Sequence, residues 1–104
     1  PEVTFKLAGD IINAIRNGDI IFKNDEDAEA FFNLIERYDE TYEGDKQAIA
    51  DEIIANMGDQ LRSKKARINK NILTRLKDAV VDKVNELTNN LVVIDLTNNT
   101  EFEK

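Results

Sequence analysis

Residues 25–36, Asp-Glu-Asp-Ala-Glu-Ala-Phe-Phe-Asn-Leu-Ile-Glu, present oxygen-bearing side chains at the spacing of a calcium-binding loop. Asp25, Asp27, Glu29, Asn33 and Glu36 fall at positions 1, 3, 5, 9 and 12 of such a loop. Position 6 is Ala30, where the sharp turn around the ion needs glycine. Ala28, Ala30, Phe31 and Leu34 favour helix throughout, and a helix cannot wrap its carboxylates around one ion. A second frame starting at Asp39 has Gly44 at position 6 but Ala50 at position 12. The segment therefore reads as an acidic helix start, and no metal site is expected.

Nucleophilic and acid–base catalysis have few materials here. The chain has no His and no Cys, and Ser63 is its one serine. Ser63 stands between Arg62 and Lys64 with no base nearby in sequence, which suits an N-cap or an exposed position better than a nucleophile. Glycines do not form a phosphate cradle. The expectation is no enzymatic activity and no cofactor. Without Cys, disulfides and thiolate metal sites are excluded.

The charges are segregated. The 104-residue chain carries a formal net charge of −7. Residues 25–60 hold twelve acids against two bases, whereas residues 61–77 hold seven bases and no acid. Two charged surfaces follow. The acidic one comprises Asp25, Asp27, Glu29, Glu36, Asp39, Glu40 and Glu43; the basic one comprises Arg62, Lys64, Lys65, Arg67, Lys70, Arg75 and Lys77. The segregation admits three readings, two for the basic run and one for the acidic block. The basic run could contact nucleic-acid phosphates, although it lacks aromatic residues for base stacking and matches no nucleic-acid motif. It could pair with the acidic helix, within one molecule or between copies. The acidic block could itself imitate a phosphate array and occupy a DNA-binding site on another protein. Pairing is the favoured reading.

Hydrophobic periodicity supplies the elements that carry these charges. Residues 4–17 place Phe5, Leu7, Ala8, Ile11, Ile12 and Ile15 on one helical face, with Gly18 as the terminating residue. Ile20-Ile21-Phe22 reads as a buried connector or short strand. A helix over about 26–42, capped by Asn24 or Asp25, turns Ala28, Phe31, Phe32, Ile35 and Tyr38 to the core, and Gly44 breaks it. Asp45 caps a third helix carrying Ala48, Ile49, Ile53, Ile54 and Met57, which Gly58 interrupts. From 60 to 89 a long helix is expected, with Ile68, Ile72, Leu76, Val80, Val84 and Leu87 recurring every three or four residues. Residues 91–96 are β-prone, so Val92, Val93 and Ile94 form a candidate strand-addition arm.

The fold class expected is mainly α: a small bundle of three to four helices, the last one long, with a short β-prone C-terminal arm. Residues 1–90 would form the helical domain and 91–104 the extended arm and polar tail. No apolar run approaches the ~20 residues of a membrane span, so no membrane contact is expected and a cytoplasmic place is the default, or a virion if the chain is viral. Size, charge segregation and poor catalytic equipment suit a non-catalytic protein–protein interaction protein. It would be a subunit of a larger assembly or a small docking regulator, with a protein partner or a second copy as its counterpart and nucleic acid as the alternative.

Overall fold

The structure, a computed structural model, describes residues 2–69. Three helices and two short strands follow in the order α1 (Glu2–Arg16), β1 (Ile20–Phe22), α2 (Asp25–Glu40), α3 (Glu43–Arg62) and β2 (Ala66–Ile68). The fold is mainly helical. Leu7, Ala8, Ile11, Ile12, Phe31, Ile35, Ile49, Ile53, Ile54, Met57 and Leu61 form its core, joined by Ile20, Ala66 and Ile68 from the strands. α1 packs on α3, and α2 packs on α3 and β1.

The strands pair antiparallel, with Ile20 opposite Ile68, Ile21 opposite Arg67 and Phe22 opposite Ala66. Because side chains alternate along a strand, Ile20, Phe22, Ala66 and Ile68 share the face turned to the helices. Ile21 and Arg67 share the outer face, and Ile21 is 51% exposed there. The Phe22 ring lies 5.2 Å from that of Phe31, which fastens β1 to α2.

Several sequence expectations are corrected. The long helix from 60 does not form at its start. α3 ends at Arg62, residues 63–65 turn, and Ala66–Ile68 is a strand whose partner is the Ile20–Phe22 segment. Ile68 is therefore buried from a strand and not from a helical stripe. Neither glycine acts as a breaker. Gly58 is buried inside α3, and Gly44 lies in the first turn of that helix. α2 stops earlier, at Glu40, where Thr41 caps it and donates its hydroxyl to the Arg37 carbonyl at 2.5 Å. Asp45 does not cap α3; Tyr42 occupies that position. Phe32 is not in the core but 49% exposed. The rest of the long helix and the 91–96 arm lie outside the described residues.

The two helix–strand units are built alike. At the end of α1, the Asp19 N–H donates to the Ala14 carbonyl (2.8 Å) and the Gly18 N–H to the Ile15 carbonyl (3.2 Å). At the end of α3, the Lys65 N–H donates to the Gln60 carbonyl (2.8 Å) and the Lys64 N–H to the Leu61 carbonyl (3.1 Å). Both are Schellman motifs, which need a left-handed residue just past the helix. Gly18 supplies it with φ 81° and Lys64 with φ 62°. The bonds flanking the ladder repeat too, Lys23 N–H to the Lys65 carbonyl and Asn69 N–H to the Asp19 carbonyl. The same spacing that takes Gly18 to Lys64 takes Ile20 to Ala66, Asp19 to Lys65 and Lys23 to Asn69. The α1–β1 and α3–β2 units are thus related by an approximate two-fold axis through the Ile21–Arg67 pair. Buried positions obey it: Thr4, Leu7, Ala8, Ile11, Ile12 and Ile15 correspond to Ala50, Ile53, Ile54, Met57, Gly58 and Leu61.

A left-handed backbone costs a residue with a Cβ about 1 kcal/mol and glycine almost nothing. Lys64→Gly should raise the unfolding free energy by about 0.5–1 kcal/mol, and Gly18→Ala should lower it by about 1 kcal/mol although an added Cβ meets nothing within 4 Å. Urea denaturation of the two variants checks the opposite signs.

Candidate functional site

α2 begins where Asn24, in extended conformation, accepts the Asp27 N–H on Oδ1 at 2.9 Å. Asp25, Glu26 and Asp27 occupy its first turn, where the helix dipole favours carboxylates. The calcium-loop frame is helical along its whole length, so its oxygens cannot converge. Phe31, Ile35 and Tyr38 turn inward. The opposite face carries Asp25, Glu29, Phe32, Glu36 and Glu40 at helical spacings of three and four, all exposed. Four carboxylates therefore surround a half-exposed aromatic ring on a single stripe. The acidic surface continues past Tyr42, which is 90% exposed, to Glu43 and Asp45 in the first turn of α3.

Of the seven expected acidic site residues, one is engaged in an ion pair among the described residues. Asp39 meets the Arg16 guanidinium of α1 at 2.5 Å. A second inter-helix pair, Arg37 of α2 with Glu52 of α3 at 3.6 Å, uses an acid outside that set. Both pairs are about half exposed and sit at the margins of the helix contacts, so they are worth at most about 1 kcal/mol each. Asp25, Asp27, Glu29, Glu36, Glu40 and Glu43 have no cationic partner among the described residues.

The basic set is dispersed. Arg62 is drawn back onto Asp59 of its own helix. Lys64 and Lys65 form the exposed turn between α3 and β2, and Arg67 stands on the outer sheet face, where it has an interaction partner. Within the described residues the run is the end of α3, a turn and a strand, so it makes no basic helical face beside α2. Lys70, Arg75 and Lys77 lie outside the described residues, as do Val92, Val93 and Ile94. Ser63 is the exposed C-cap of α3 and not an N-cap.

Two residues of this surface were not expected from sequence, Phe32 and Tyr42. The signal for Phe32 was present: adjacent Phe31 and Phe32 stand ~100° apart on a helix, and one stripe of ordinary width cannot bury both. Tyr42 gave no such signal. Among the described residues, no group of carboxylates is arranged to hold a metal ion, and no helix is long and apolar enough to cross a membrane. Comparison with protein-family profiles, with curated proteins and with solved structures finds no match to this chain.

Tyr38 closes the inner side of α2. Its hydroxyl donates to the Phe5 carbonyl at 3.4 Å, and the Lys46 ammonium lies 4.7 Å from its ring centroid. Burial, and then the Asp39 carboxylate beside it, raise its pKa above the ordinary 10.0. The fold therefore holds this proton more tightly than the unfolded chain does. Stability from this source is intact below about pH 10 and is lost as pH rises through the Tyr38 titration. In a Tyr42→Phe variant, ultraviolet titration should show the remaining tyrosine ionising above the free phenol, with denaturation midpoints falling over the same interval.

Proposed function

We propose that this protein is a non-catalytic interaction module, a docking subunit of a larger assembly, that presents the outer face of α2 to a partner. The partner surface would be basic, with an apolar recess for Phe32. The observation that carries this reading is the stripe Asp25, Glu29, Phe32, Glu36 and Glu40, without a cationic partner among the described residues and fixed on a helix whose opposite side is locked into the core. Carboxylates around a central aromatic ring combine steering at long range with an anchor at short range. Tyr42 extends the same surface with a second aromatic side chain. A basic groove that normally takes DNA is one form such a partner could have. The absence of His and Cys, and a lone serine at a helix end between two cations, argue against covalent chemistry.

The test is titration with a fluorescent amphipathic peptide of Lys and Leu, against the same design with Glu for Lys. The Lys peptide should bind with an affinity that falls as salt rises. Phe32→Ala with Glu36→Lys should weaken it at least ~10-fold and leave far-ultraviolet circular dichroism unchanged. Equal binding by wild type and variant would sink the α2 reading. Saturable binding of a duplex DNA that disappears on Lys64→Glu and Lys65→Glu would replace it with a nucleic-acid one.

A further inference from the structure

Asn17-Gly18 is the one Asn-Gly pair in the chain, and both residues are exposed in the turn that joins α1 to β1. In such a pair the glycine's backbone nitrogen can attack the asparagine side-chain amide, because no Cβ shields that nitrogen. Among the described residues the Asn17 side chain has no hydrogen-bond partner to restrain it. The backbone supplies the restraint. The Asn17 N–H donates to the Asn13 carbonyl at 2.9 Å, so the residue still belongs to the last helical turn. In helical backbone a side chain leans toward the start of the helix, away from the nitrogen of the residue that follows. That nitrogen is itself engaged, since the Gly18 N–H donates to the Ile15 carbonyl at 3.2 Å, and the Asp19 N–H closes the turn on the Ala14 carbonyl at 2.8 Å. Attack therefore requires the turn to open.

We propose that Asn17-Gly18 is a spontaneous modification site which the α1–β1 turn holds shut, so that a chain whose turn opens is marked irreversibly by deamidation. Water and hydroxide are the only co-reactants. Hydroxide removes the Gly18 amide proton, and the nitrogen's electron pair forms a bond to Asn17 Cγ. The Cγ–Nδ2 bond breaks, and the leaving nitrogen takes a proton from water and departs as ammonia. Water then opens the cyclic imide. Cleavage between the Gly18 nitrogen and Cγ leaves aspartate at this position. Cleavage between that nitrogen and the main-chain carbonyl carbon leaves isoaspartate, whose Cβ is now part of the main chain. Nothing is oxidised or reduced.

The products act back on the fold. Both place a new carboxylate beside Asp19 at the C-terminal end of α1, where the helix dipole opposes it. Isoaspartate also lengthens the main chain by a methylene between α1 and β1. The Asp19 carbonyl accepts the Asn69 N–H at 2.7 Å and Ile20 pairs with Ile68, so a lengthened turn displaces β1 against β2. The modification thus weakens the closure that had protected its own reactant. The other helix–strand unit is inert to this chemistry, because Ser63-Lys64 stands at the corresponding place. This inference does not depend on the docking proposal.

The experiment is incubation of the full chain in mildly alkaline buffer, folded and in guanidinium chloride, with peptide mapping by mass spectrometry to follow conversion of Asn17. Conversion in the folded chain should be at least ~10-fold slower than in the unfolded one, because a hydrogen-bonded turn opens only transiently. Ile68→Ala, which weakens the ladder from the far strand, should speed conversion in the folded chain, and Asn17→Gln should abolish it. The converted protein, separated by anion exchange, should have a lower urea midpoint than its parent. Equal rates in folded and unfolded wild type would overturn the proposal, as would an unchanged urea midpoint in the converted protein.

Discussion

The pairing of β1 with β2 is the constraint on which the described structure depends. It joins Ile20 to Ile68 and so closes a long loop that contains α2 and α3. A ladder of two three-residue strands offers few hydrogen bonds, each worth only about 0.5–1.5 kcal/mol net, and cannot stand alone in water. Its support comes from the inner face. Ile20, Ala66 and Ile68 are buried in the common core, and Phe22 rests on Phe31. The ladder in turn fixes the helices. α1 and α3 each enter it through a Schellman turn, and α2 is slung between the end of β1 and the start of α3. Moving either strand by one residue would turn its apolar side chains outward and separate the two helix ends.

The distribution of charge is not explained by the demands of folding. Carboxylates in the first turn of α2 are stabilised by the helix dipole, but Glu36 and Glu40 lie toward the opposite end, where the dipole opposes them. Neither has a cationic partner among the described residues. Phe32 leaves half of a large apolar side chain in water, forfeiting part of the roughly 1.5–3 kcal/mol its burial would contribute. Three local choices thus run against stability on a single helix face while its other face, Phe31, Ile35 and Tyr38, is conventional core. Natural sequences break local rules of this kind where a surface has another use.

The three described helices were legible because their apolar residues recur at the helical period. What the sequence concealed was non-local. Gly44 and Gly58 looked like breakers because glycine costs about 1 kcal/mol in a helix; burial of Ile49, Ile53, Ile54 and Met57 in the surrounding turns outweighs that penalty. Ile68, Ile72 and Leu76 keep helical spacing, so nothing local disclosed that Ile68 belongs to a strand. Its strand character comes from pairing with Ile20, far away in sequence. The turn before it was equally hidden, because Lys64 holds a left-handed backbone that sequence reasoning assigns to glycine. The acidic stripe was partly legible. Its carboxylates were identified from composition, but which of them are paired among the described residues, Asp39 and not Glu29, Glu36 or Glu40, depends on where Arg16 and Arg37 are brought by packing.

The two-fold relation was invisible for a related reason. Packing constrains the buried positions to be apolar or small but not identical, so Ile11 answers to Met57, Ile12 to Gly58 and Ile20 to Ala66. Exposed positions are free to diverge, and they have diverged in charge: Gly18-Asp19 in one turn corresponds to Lys64-Lys65 in the other, and Ile21 to Arg67. Two helix–strand units of similar backbone therefore carry different charges at their surfaces. This bears on what the α2 stripe can meet. In an isologous dimer centred on the stripe, the same patch from two copies would face itself across a two-fold axis. Glu29, Glu36 and Glu40 would then oppose their own kind, with no described cation on the stripe to relieve them. The proposed docking role therefore calls for a heterologous contact, in which the surface the stripe meets differs from itself.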